Sequence, residues 1–118
     1  MRIGEIESKF ADIIWENEPL KSSELVKLCE KKLNWKRTTT YTVLKRLSER
    51  GIFQNTDGVI TSLISKTDFY ALQSKEFVDD TFEGSLPAFI AAFTSKKDLS
   101  KKELDEIRKL IDSYGVDR

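Results

Sequence analysis

A chain of 118 residues is short enough for one compact domain, or for a small domain with an appendage. Its 20 lysines and arginines balance its 20 aspartates and glutamates, while a single cysteine and no histidine exclude internal disulfides, Cys/His zinc sites and His-based catalytic dyads. Apolar runs such as residues 89–93 fall far short of the about 20 residues that cross a membrane, and no signal peptide opens the chain, so the expectation is a soluble cytoplasmic protein without metal or cofactor.

In chain order, Ile6, Phe10, Ile13 and Ile14 fall at helical spacing within Glu5 to Trp15 and predict an amphipathic first helix, ended by Pro19. Ser22 or Ser23 caps a second helix whose apolar side is Leu25, Val26, Leu28, Cys29 and Leu33. Asn34, Trp35 and Lys36 form a short turn, and a third helix runs from Arg37 to Arg50 with Gly51 beyond its end. Ile52 and Phe53 then begin a strand, Asp57-Gly58 signals a tight hairpin, and the β-branched stretch Val59 to Ser65 makes the return strand. Three helices followed by a hairpin predict a winged helix-turn-helix domain over residues 1–68. Trp15 and Trp35, each beside a turn, read as core anchors, and Cys29 as a small buried apolar group.

From residue 69 to 118 the pattern is helical again. Phe69, Leu72, Phe77, Val78 and Phe82 form one segment ended by Gly84, Leu86, Phe89, Ile90 and Phe93 a second, and Leu104, Ile107, Leu110, Ile111 and Tyr114 a third behind a Ser100/Glu103 capping box. About 50 residues rarely bury so many large apolar groups alone. A second copy of the chain is therefore the expected cover, with Phe77, Phe82, Leu86, Phe89, Ile90, Phe93, Leu104, Ile107, Leu110 and Ile111 as dimerisation residues. Folding back on the first domain is the alternative. The fold class is mainly α with a small β-hairpin wing, an N-terminal winged helix and a C-terminal helical dimerisation region.

Charge is distributed unevenly. Lys31, Lys32, Lys36, Arg37, Lys45, Arg46 and Arg50 stand against Glu49 alone, so residues 31–50 carry +6 in a chain whose net charge is zero. On the third helix, Thr40, Val43, Leu44 and Leu47 share one side, leaving Thr38, Thr39, Thr42, Lys45, Arg46 and Glu49 on the other. Three short hydroxyl side chains and two cations make a face of little bulk, suited to base edges in a DNA major groove. Thr38, Thr39, Thr42 and Arg46 are the expected base contacts; Lys36, Arg37, Tyr41 and Lys45 are the expected phosphate contacts, with Lys36 and Arg37 at the positive helix end. The hairpin tip, Asn55 to Gly58, carries Asp57 and no cation, so a weak wing contribution is expected. Asp79 and Asp80, adjacent on a helix, point apart and make no acid/base pair, and no catalytic constellation emerges.

These residues resemble the BlaI/MecI/CopY family of penicillinase-type repressors. The resemblance rests on Ile13-Ile14-Trp15-Glu16, on Thr38 through Leu47, on Gly51 and on Gly84-Ser85-Leu86. It implies a homodimer that represses transcription from a palindromic double-stranded DNA operator, with Thr38, Thr39, Thr42 and Arg46 at the family's contact positions. In the family's β-lactam-responsive branch it further implies a membrane sensor-protease system as partner, cutting within the dimerisation helices between an asparagine and a phenylalanine. The match here is Ala92-Phe93, which keeps only the phenylalanine. The copper-responsive branch's cysteine-rich tail has no counterpart in residues 114–118, and the family's Ser-Pro at the recognition-helix start is replaced by Lys36-Arg37. A winged-helix protein-interaction module that does not bind DNA is the competing reading.

Overall fold

A computed structural model describes residues 2–115. Residues 116–118, the end of the tail that carries no cysteine, lie outside that range. The described residues divide into two compact units, one up to Glu76 and one from Phe77 onward.

The first unit begins with helix α1 (Glu5–Asn17). Its start is set by Glu7, whose carboxylate accepts the Gly4 peptide N–H at 3.3 Å. Glu5 and Glu7 also place negative charge where the helix dipole is positive. Phe10, Ala11, Ile13 and Ile14 turn into the core. Ile6, expected on the same apolar side, is instead 52% exposed, although its neighbours Glu7 and Ser8 meet Arg46 and Tyr70. Helix α1 ends before Glu18, and a short strand that the sequence did not reveal, β1 (Leu20–Lys21), precedes α2 (Ser22–Leu33). Lys21, and not Ser22 or Ser23, occupies the N-cap of α2. The chain enters this helix straight from a paired strand, and the Glu24 carboxylate takes the Lys21 peptide N–H at 3.4 Å.

Asn34 closes α2 in the left-handed conformation at φ 55°, and the turn delivers Trp35 onto Phe10, the rings stacked 5.4 Å apart. Helix α3 (Arg37–Glu49) follows. Gly51 at φ +80° ends it, its N–H returning to the Ser48 carbonyl; nothing lies within 4 Å of where a Cβ would stand, so conformation and not space calls for glycine there. Strands β2 (Phe53–Thr56) and β3 (Val59–Ser62) form the hairpin, turning through Asp57 and Gly58, both at positive φ as a type I′ turn demands. The return strand stops at Ser62, short of the expected Ser65, because the chain must turn there into the next helix. The antiparallel sheet runs β1-β3-β2, with Leu20 opposite Ile60 and Phe53 opposite Ser62. Glu18 fastens it from below, accepting bonds from the Ser62 N–H and hydroxyl at 2.8–2.9 Å.

Helix α4 (Lys66–Phe82) begins in the first unit. Phe69 is fully buried beside Trp15, whose indole N–H donates to the Ile64 carbonyl at 3.1 Å. Lys66 meets Asp12 at 2.9 Å, and the hydroxyls of Tyr70 and Ser8 share a hydrogen bond of 2.7 Å. Both tryptophans thus anchor the core. Cys29 is wholly buried, and burial pushes its thiol pKa up, against a smaller downward pull from a hydrogen bond with Thr40, so it stays a neutral packing group.

The second unit holds the end of α4, α5 (Leu86–Thr94) and α6 (Lys101–Tyr114). Glu83 and Gly84, both at positive φ, end α4, and the Ser85 hydroxyl caps α5 by accepting the Ala88 N–H at 3.1 Å. Phe77, Phe82 and Phe89 meet edge to face at 5.7–6.2 Å, with Phe93 5.9 Å from Phe89. The Ser100/Glu103 capping box of α6 is present: the Ser100 hydroxyl accepts the Glu103 N–H at 3.1 Å and the Glu103 carboxylate accepts the Ser100 N–H at 3.3 Å. Lys97, donating to Glu103, and the Ser100 N–H hold that carboxyl below its ordinary range.

Candidate nucleic-acid interface

The candidate surface is built on α3. Thr40, Val43, Leu44 and Leu47 are buried against the first unit's core, which fixes the rotation of the helix about its axis. Thr38, Thr39, Thr42, Lys45 and Arg46 consequently lie exposed together, as the helical spacing requires. Small differences among them matter chemically. The Thr42 hydroxyl spends its proton on the Thr38 carbonyl at 2.8 Å, so outward it offers an acceptor and a methyl group. Thr40, buried, does the same toward the Lys36 carbonyl at 3.3 Å and is structural.

Lys36 is the N-cap of α3 and Arg37 its first residue, and no acidic residue occupies the first turn, so this positive helix end is undiluted. The Arg37 guanidinium lies 5.5 Å over the half-buried Tyr41 ring, which sets the two expected phosphate contacts side by side. Lys31, Lys32 and Arg50 are also exposed, so the cationic residues expected from the sequence all reach the surface. On the wing, the Asn55 side-chain oxygen already accepts the Gly58 N–H at 2.9 Å, which leaves the hairpin tip with one fewer group to offer a ligand.

Three features were not legible in the sequence. Glu7 of α1 meets Arg46, with Oε2 3.2 Å from Nε. Arg50, the C-cap of α3, donates from its guanidinium to the Arg2 carbonyl. Between α3 and the wing lies a shallow groove lined by Tyr41, Leu44, Lys45, Ser48 and Asn55, in which the buried Ser48 hydroxyl has no hydrogen-bond partner. Glu7 carried only the signal of a helix-start residue, and nothing linear connects positions so far apart.

The other expected site residues lie in the second unit. Phe77, Leu86, Ile90, Phe93, Leu104, Leu110 and Ile111 are exposed, and Phe82, Phe89 and Ile107 half-buried. Ala92-Phe93 sits in the last turn of α5, both residues exposed. Among the described residues no helix is long and apolar enough to cross a membrane.

Three helices, a hairpin that pairs with a strand between the first two, and a third helix presenting a polar, cationic outer face define a winged-helix domain of the DNA-reading type. The model of the penicillinase repressor family matches residues 3–113, and the chain belongs to that family. It is 26% identical over 113 residues to the methicillin resistance regulatory protein MecI of Staphylococcus aureus strain Mu50, covering 92% of each chain. With the penicillinase repressor of Bacillus licheniformis it shares 24% over 117 residues, covering 96% of this chain and 91% of that one. A methicillin resistance regulatory protein MecI from Mammaliicoccus sciuri is 26% identical over 113 residues.

Proposed function

We propose that this chain is a sequence-specific transcriptional repressor that binds DNA as a homodimer, with Thr38, Thr39, Thr42 and Arg46 contacting bases and Lys36, Arg37, Tyr41 and Lys45 contacting phosphates. The observation that carries it is the exposed face of α3, where hydroxyl and cationic side chains stand together on a helix whose other side is locked into the core. Short side chains let the helix approach base edges, and Arg46 has the donors to read a guanine. The family's repressor character supports this reading of a regulator and not an enzyme.

In a symmetric dimer two such helices enter successive major grooves about 34–36 Å apart, so the operator is near-palindromic. Two linked half-site contacts bind far better than one, and release follows loss of the dimer. Cleavage between Ala92 and Phe93 by a membrane sensor-protease system would divide α5 and detach α6 from the DNA-binding unit.

The test is a binding titration at several salt concentrations, comparing a palindromic duplex from upstream of the protein's own gene with a scrambled duplex of equal length. The expected result is a preference of about a thousandfold or more for the palindrome, with affinity falling steeply as salt rises. Absence of binding at low salt would overturn the reading in favour of a winged-helix protein-interaction module.

A further inference from the structure

The contact between α1 and α3 at Arg46 has a particular chemistry. A guanidinium carries five N–H donors in a rigid planar fork, one on Nε and two on each terminal nitrogen. Recognition of guanine takes two of them, one each to O6 and N7. Glu7 engages the Nε side, at 3.2 Å from Oε2, and the Arg46 side chain is still 55% exposed, so the terminal nitrogens stay available for a base. The carboxylate is itself held: its other oxygen accepts the Gly4 N–H at 3.3 Å, and the Glu7 side chain is only 24% exposed. An ion pair with so exposed a partner adds little to stability. Its consequence is to remove rotamer freedom from a long side chain before any ligand arrives, which is what a specificity-determining group needs.

We propose that Glu7 is a positioning residue for sequence recognition: it clamps Nε of Arg46 so that the two terminal nitrogens are presented in parallel to a guanine edge. This rests on the DNA-reading role of α3 proposed above. A carboxylate beside a phosphate-binding arginine would weaken its grip on an anion, whereas one beside a base-reading arginine costs less, because the guanine edge is neutral. The pairing therefore favours base over phosphate as the Arg46 partner.

The experiment uses the full chain and the operator duplex, together with duplexes in which each guanine-cytosine pair of a half-site, and its symmetric mate, is replaced by adenine-thymine. Wild type is expected to lose most affinity at one such pair, and Arg46→Ala to erase that loss. Glu7→Gln, which keeps a side-chain acceptor for the Gly4 N–H, is expected to shrink the penalty at that pair by about two- to fivefold while penalties at the other pairs and the salt dependence stay unchanged. In the Arg46→Ala background Glu7→Gln should add nothing. A Glu7→Gln protein that keeps the full penalty overturns the proposal. So does one that binds the scrambled duplex more tightly with a steeper salt dependence, since Glu7 would then be masking a cation. Wild type with no preference among any of the duplexes would instead overturn the DNA reading itself. Equal denaturant midpoints for wild type and Glu7→Gln establish that recognition, and not folding, is being read.

Discussion

The two units of this chain treat their apolar residues in opposite ways. In the first, Phe10, Phe53 and Phe69 are fully buried, with Trp35 stacked on Phe10 and Trp15 against Phe53 and Phe69. In the second, α5 and α6 bury no residue, and Leu110 and Ile111 are each 63% exposed. Exposed apolar residues are ordinary when scattered, but at helical spacing along one short helix they mark a surface built to be covered. The first unit closes an apolar core of its own; the second has local order from caps and aromatic pairs and leaves an apolar face exposed, which is where the proposed dimer contact falls.

That contrast is open to attack at several points. The largest effect is expected from Phe53→Ala, which removes a ring packed against Trp15 at 5.5 Å and should cost about 3–5 kcal/mol in denaturant unfolding followed by tryptophan fluorescence. A loss below about 1 kcal/mol would show that the first unit's core is not self-supporting.

Leu110→Asp combined with Ile111→Asp places two charges on the exposed part of α6 and is expected to raise the dissociation constant of the proposed dimer about a hundredfold or more, read by sedimentation equilibrium. The denaturant midpoint of the first unit should hardly move. An unchanged oligomeric state would mean that the exposed face of α6 is not the covered one.

Thr39→Ala and Arg46→Ala, both on the surface of the first unit, are expected to weaken operator binding by roughly 1–3 kcal/mol each, measured by titration, and to leave dimerisation intact. If either variant changed the oligomeric state, the division of labour between the units would fail. The smallest effect concerns pH. The folded pKa of Glu103 is depressed by Lys97 and the Ser100 N–H, so whatever it lends α6 is fully present above the ordinary carboxylate pKa and is lost as pH falls through the lowered folded value. Helicity measured by circular dichroism should therefore decline slightly in acid for wild type and less for Glu103→Gln.

Much of the outer face of α3 was legible because it depends on local periodicity. Once Val43, Leu44 and Leu47 are assigned to the core, a pitch of about 3.6 residues per turn puts Thr38, Thr39, Thr42, Lys45 and Arg46 elsewhere. Asp57-Gly58 and Gly51 announced the hairpin and the helix end through backbone conformations that few other residues adopt. The misjudged places were those where a distant segment decides. Strand β1 has only two residues and exists because β3 pairs with it, and Ile6 follows the helical stripe yet stays half exposed.

The sequence by itself therefore determined the order of helices and hairpin and the set of side chains on the outer face of α3, since each follows from spacing and turn chemistry within a short window. Only the tertiary structure decided that Glu7 meets Arg46, that Arg50 reaches the Arg2 carbonyl, and that Phe69 joins the core beside Trp15. Those contacts join residues 39, 48 and 54 positions apart, and a contact of that span is set by how packed helices cross, which no local pattern encodes.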